Sequence, residues 1–121
     1  MDAAELKERT FVFATRIVKL VRALPKTTEA RAVGSQLVRC GTAVGANYRA
    51  SCKARSRAEF VARIGIVEEE VDESAYWMEL IVASEMLKRS QVQKLLDEAR
   101  ELERIFGKSR VTAKSNATAS Q

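Results

Sequence analysis

Five carboxylates crowd one short stretch of the chain: Glu68, Glu69, Glu70, Asp72 and Glu73. Paired carboxylates three residues apart, such as Glu70 and Glu73, can bind a divalent cation or handle a proton, but helical sites of that kind recruit further glutamates and histidines from facing helices. The sequence contains no histidine, and the first two helical segments, over 3–23 and 29–53, offer almost no inward-facing carboxylate. No metal and no cofactor is therefore expected. Glu70 and Glu73 are read as ion-pair partners of Arg39 or Arg49, within or between subunits, or as solvated surface. Nucleophilic catalysis has as little to stand on. Cys40 falls on an apolar stripe with no histidine to activate it, and no glycine-rich phosphate loop follows a strand pattern. No catalytic residue is assigned, and the chain is expected to be non-enzymatic.

Cationic chemistry is better represented. Arg49, Lys53, Arg55, Arg57 and Arg63 lie within fifteen positions and could hold phosphate oxygens of a nucleic acid, with Ser56 and the free amides of a helix start adding donors. The other use of such a set is ion pairing at an interface and solubility. Residues 26–63 carry eight basic groups against two acidic ones, residues 64–80 carry six acidic and none basic, and the whole chain has net charge +5. Alternating blocks of this kind suit subunits that attract one another as well as a basic face offered to an anion.

The run Cys40-Gly41-Thr42-Ala43-Val44-Gly45-Ala46-Asn47-Tyr48 lies inside a helical pattern. Each interior glycine costs about 1 kcal/mol relative to alanine, and close approach of a neighbouring helix is the expected compensation. Asn47 falls on an apolar seam, where an amide can fix register between helices. Tyr76 and Trp77 point about 100° apart, so one can face the core while the other covers a boundary. Arg39, Gly41, Gly45, Asn47, Tyr48, Glu70, Glu73, Tyr76 and Trp77 form the expected assembly interface.

These residues need helices to position them, and the composition supplies helices: one proline, five glycines, and 46% hydrophobic against 31% charged residues. Leu6, Thr10, Phe13, Ile17, Leu20 and Leu24 mark a first helix over 3–23, ended by Pro25. Thr27 or Thr28 can cap a second over 29–53, with Val33, Leu37, Cys40, Val44 and Asn47 inward. Ser56 and Glu59 form a capping box for a third over 57–88, with Phe60, Ile64, Val67, Val71, Ser74, Met78 and Ile81 inward. Ser90 can cap a fourth over 91–106, with Gly107 as its C-cap and 109–121 as a disordered basic tail. Short loops make the simplest fold an all-α, antiparallel, up-down-up-down four-helix bundle over 1–108. Cys40 and Cys52 would lie about 18 Å apart on one helix, too far to bridge. Free thiols, no signal peptide and no membrane span point to the cytoplasm.

The segment Gln36 to Arg49, Arg57-Ala58-Glu59-Phe60, and Glu70 to Leu80 together resemble the four-helix bundle proteins related to the 23S rRNA intervening-sequence protein. The resemblance covers nearly all of residues 5–107. Ala43 and Ala50 stand where that family often has serine and glutamate, and Cys40 where serine or alanine is usual, which leaves the basic block near residue 50 less balanced. The resemblance implies a homopentamer, a ring of protomers forming a barrel of helices. It also implies contact with RNA or DNA, by fold-level analogy. A structural scaffold that binds a protein partner, without nucleic-acid affinity, is the alternative.

Overall fold

The first three helices of this chain begin where a short polar side chain satisfies free amides of the first turn. Asp2 Oδ1 accepts from the Glu5 amide at 2.8 Å, Thr27 Oγ1 from Ala30 at 3.2 Å, and Ser56 Oγ from Glu59 at 3.1 Å. The computed structural model describes residues 1–119, as α1 (Ala3–Arg22), α2 (Thr28–Ser51), α3 (Arg57–Ala83) and α4 (Arg89–Ala119). No strand occurs among the described residues.

Pairs of facing residues fix the topology. Gly34, Gly41 and Gly45 of α2 lie against Val21, Ile17 and Thr10 of α1 in descending order. Cys40 of α2 meets Ser74 of α3, and Glu68, Asp72 and Glu79 of α3 meet Arg110 and Arg100 of α4. Arg9 of α1 reaches Glu98 of α4. Every neighbouring pair is thus antiparallel, and the bundle runs up, down, up and down. The α2/α3 and α3/α4 seams are the most extensive, and α1 meets α4 far less than it meets α2.

The apolar stripes converge on one core. Phe13, Ile17, Leu37, Ile64, Met78, Ile81, Leu102 and Phe106 are fully enclosed. The buried hydroxyls of Thr10, Ser51 and Ser74 each donate to a carbonyl one turn back, at 2.8, 2.6 and 2.8 Å, which removes the cost of hiding them.

The boundaries of α1 and α2 lie within two residues of the sequence pattern, and three boundaries of α3 and α4 also differ from it. α3 ends at Ala83 rather than 88, because Glu85 takes φ 60°. The Met86 amide donates to Ile81 O and the Glu85 amide to Val82 O, both at 3.0 Å, a Schellman closure with glutamate in the usual glycine seat. α4 starts at Arg89, ahead of Ser90, because Gln91 Oε1 accepts from the Lys88 amide at 2.9 Å. Finally, α4 does not stop at Gly107. No glycine has positive φ, residues 108–119 contain neither glycine nor proline, and Arg110 one turn later is held by Glu68 at 2.5 Å. The extension to Ala119 therefore replaces most of the tail expected over 109–121. Ser120 and Gln121, the last two residues of that stretch, lie outside the described residues.

Candidate functional site

The glycine run packs inward. A Cβ on Gly41 would lie 2.7 and 2.8 Å from Ile17 Cγ2 and Cγ1, and one on Gly45 would lie 3.2 Å from Thr10 Oγ1. The helix whose approach these glycines permit is α1 of the same chain, so Gly41 is buried there and is not left for a second subunit. Tyr48 is likewise a core residue, 5% exposed, its ring 5.3 Å from Phe106. It takes the inward seat that the pattern gives to Asn47. Burial first, then the neighbouring Cys52 thiol, pushes its hydroxyl above the usual tyrosine range. Asn47 is half-buried at the edge of α2, its amide donating to Ala43 O at 2.9 Å on its own helix.

Outward from that run lies a polar cluster joining α2 to α3. Arg39 donates to Glu73 Oε2 at 2.5 Å and to Glu70 Oε2 at 3.4 Å, and Trp77 Nε1 donates to the same Glu73 oxygen at 3.0 Å. The indole hydrogen bond first, then Arg39, holds the Glu73 carboxyl below its usual range. Other carboxylates of α3 pair with α4 instead: Glu68 goes to Arg110, and Asp72 and Glu79 go to Arg100. Among the described residues no group of three or more His, Cys, Asp or Glu side chains converges as a metal site would require. Cys40 is fully buried beside Ser74 Oγ at 3.3 Å, and burial raises its thiol pKa, the opposite of what a nucleophile needs. Tyr76 is 56% exposed, while Trp77 is half-buried against it with ring centroids 5.0 Å apart.

The basic set gathers at the end of the bundle where α2 turns into α3. Arg49, Lys53, Arg55 and Arg57 are all exposed there, and none has an ion-pair partner among the described residues. Arg63 does not belong with them. It is bound by Glu59 at 3.2 Å, one turn away on the same helix, while Glu59 Oε2 also accepts from the Arg55 amide at 2.9 Å. Those two contacts, the backbone one foremost, hold the Glu59 carboxyl below its usual range.

Two hollows open on this end. The larger, about 870 Å³, lies between the start of α1, the first turn of α3 and the extension of α4, and its lining includes Leu6, Arg57, Phe60, Ile105 and Lys108. The smaller, about 510 Å³, includes Tyr48, Cys52, Arg55, Arg57 and Phe60. Phe60 and Arg57 line both. The sequence pattern places Phe60 only in the core and ends α4 too early to bring Lys108 beside it. The absence of glycine and proline after Gly107 is the signal that points to the longer helix.

Among curated proteins no match to the chain was found. The fold is similar to the crystal structure of a protein of unknown function from the S23 ribosomal protein family of Bacteroides thetaiotaomicron, with TM-score 0.78 and 32% identity, over 84% of this chain and 94% of that one. Residues 3–108 match the family described as 23S rRNA-intervening sequence protein. With four antiparallel helices, the glycine run seated against α1 and nearly the whole bundle inside that match, the chain belongs to the 23S rRNA-intervening sequence protein family.

Proposed function

We propose that the chain is a non-enzymatic, self-associating helical bundle whose basic end binds nucleic acid through its backbone phosphates. The observation that carries this reading is the unneutralised state of Arg49, Lys53, Arg55 and Arg57. In α3 and α4, Arg63, Arg100, Arg104 and Arg110 are each matched by a carboxylate, whereas these four side chains extend into solvent at one end of the molecule. Such a set gains affinity from release of counterions and carries little sequence preference. The family name refers to 23S rRNA, which makes structured RNA the first ligand to try.

Self-association belongs to the same proposal. Phe11, Val12, Ile66 and Tyr76 expose 62, 42, 43 and 56% of their surface on the outer faces of α1 and α3, apolar area that a ring of copies would cover. Five is the number that the resemblance implies. The free Cys40 and Cys52 suit a reducing compartment, so the proposed location is the cytoplasm. No described helix is long and apolar enough to cross a membrane.

The same exposed Ile66 and Tyr76, on one helix beside an acidic surface, favour a second reading in which the bundle is a scaffold for a protein partner. Titration of structured RNA and duplex DNA separates the two. If four phosphates are neutralised, affinity falls about 10²-fold between about 50 and 200 mM salt. Binding that is absent at micromolar protein, or insensitive to salt, overturns the nucleic-acid reading and leaves the scaffold.

A further inference from the structure

The larger hollow at the basic end combines features that a duplex backbone would not use. Its floor is apolar, with Leu6, Phe60 and Ile105, and cations stand on its rim. Arg57 and Lys108 are exposed and have no ion-pair partner among the described residues. Arg104, also on the rim, is already gripped by Glu101 at 2.5 and 3.0 Å, so that acid and that base cancel. Ser109 and Thr112 of the α4 extension add hydroxyls to the wall. Part of this wall lies beyond residue 108, where the family match ends, so the groove depends on the extension of this chain's own α4.

We infer that this groove holds an unpaired nucleotide of a single-stranded nucleic acid, its base against Phe60 and Ile105 and its phosphates on Arg57 and Lys108. The inference rests on reading the basic end as a phosphate-binding surface and goes further by naming the strand state. A duplex hides its base faces in the stack and presents phosphates alone, for which an apolar floor does nothing. A single strand offers an apolar face and a charge on each nucleotide, the pairing that this groove provides. A volume of about 870 Å³ is ample for one nucleotide. The neighbouring hollow shares Phe60 and Arg57 and adds Arg55, which gives the strand a continuous basic path around the α2–α3 turn.

The test uses the full chain with a short single-stranded RNA and a duplex of the same length, each measured at low and high salt. The single strand should bind more tightly. Phe60→Leu keeps an apolar side chain in the core but removes the ring, and should weaken single-strand binding about 5- to 50-fold while leaving the duplex unchanged. Thr112→Glu, on an exposed position of the wall, should abolish the single-strand preference without touching the core. Arg57→Gln with Lys108→Gln should reduce the single-strand salt slope by about 1.4. Arg31→Gln, exposed on the first turns of α2 and thus at the opposite end of the bundle, should change nothing. If neither nucleic acid binds in a salt-sensitive way, the basic-end reading itself fails. Where both bind equally and neither Phe60→Leu nor Thr112→Glu alters the ratio, that reading stands and the groove assignment is overturned. Two other results also overturn it: tight binding of decanoate that Lys108→Gln abolishes without any strand preference, and a change of oligomeric state in Phe60→Leu by light scattering.

Discussion

Replacing Gly41 or Gly65 by alanine makes the same chemical change on two helices, and the two are expected to move stability in opposite directions. A helix gains about 1 kcal/mol when an interior glycine becomes alanine. At Gly65 nothing opposes that gain, because the nearest atom to the new methyl is Arg110 Cδ at 4.0 Å, an ordinary contact on a flexible side chain. At Gly41 the methyl would sit 2.7, 2.8 and 3.1 Å from three atoms of Ile17, about 1 Å inside the usual separation of carbon atoms. Ile17 is fully buried and, being β-branched, has essentially one rotamer in a helix, so α1 as a whole must shift. Overpacking of this kind costs about 1–3 kcal/mol. The two variants should therefore differ by about 1–3 kcal/mol, with Gly65→Ala above the parent and Gly41→Ala at or below it. Gly45→Ala, whose methyl would lie 3.2 Å from Thr10 Oγ1 and 3.4 Å from its Cβ, should fall between them. Urea denaturation at fixed protomer concentration reads the differences, and the thermal midpoint should move roughly 4 °C per kcal/mol. A double-mutant cycle sharpens the test, since in an Ile17→Ala background the Gly41→Ala change should become stabilising. Equal stabilisation by Gly41→Ala and Gly65→Ala in the parent would refute the argument that close α1–α2 approach selects glycine at position 41.

Glu85→Gly should stabilise the chain by roughly 0.5–1 kcal/mol, because glycine occupies the left-handed conformation at the end of α3 without the strain that a Cβ brings; a lower urea midpoint would count against that. The Glu73 carboxyl titrates below its unfolded value, so its contribution is present above pH 4.5 and is lost as pH falls through the lower folded value. Glu73→Gln should flatten that acid limb of stability. Trp77, the single tryptophan, should report the same titration in its emission, and a transition that persists in Glu73→Gln would assign it elsewhere. A thiol reagent should modify the exposed Cys52 quickly in the native protein and Cys40 only as fast as the chain opens; two fast thiols would contradict the burial of Cys40.

Much of the bundle is visible in local spacing. The stripe Leu6, Thr10, Phe13, Ile17, Leu20 and Leu24 is buried throughout, and so is Val92, Leu95, Leu96, Ala99, Leu102 and Phe106. Where the spacing allows two answers, distant residues decide. After Val44 a step of three reaches Asn47 and a step of four reaches Tyr48. The ring of Phe106, over fifty residues away, selects Tyr48. The pairing of Arg39 with Glu70 and Glu73 is legible because opposite charges occupy matching helical faces. Separating Arg63 from the other cations is legible too, since Glu59 lies four residues before it. The groove is not legible, because it depends on the length of α4 and on its register against α3. That register is fixed by Glu68 meeting Gly107 and Arg110 across the seam.

The thin α1/α4 seam gives the molecule an order in which its parts come undone. Three helices are joined by the two broadest seams, and α1 is attached to them mainly along one edge, with the Arg9–Glu98 ion pair fastening the other at 2.8 Å. Amide hydrogens of α1 should accordingly exchange through partial opening well before those of α3, whose loss requires breaking both broad seams. Added salt or Glu98→Gln should widen the gap between the two helices, so that α1 behaves as the hinged cover of a three-helix book.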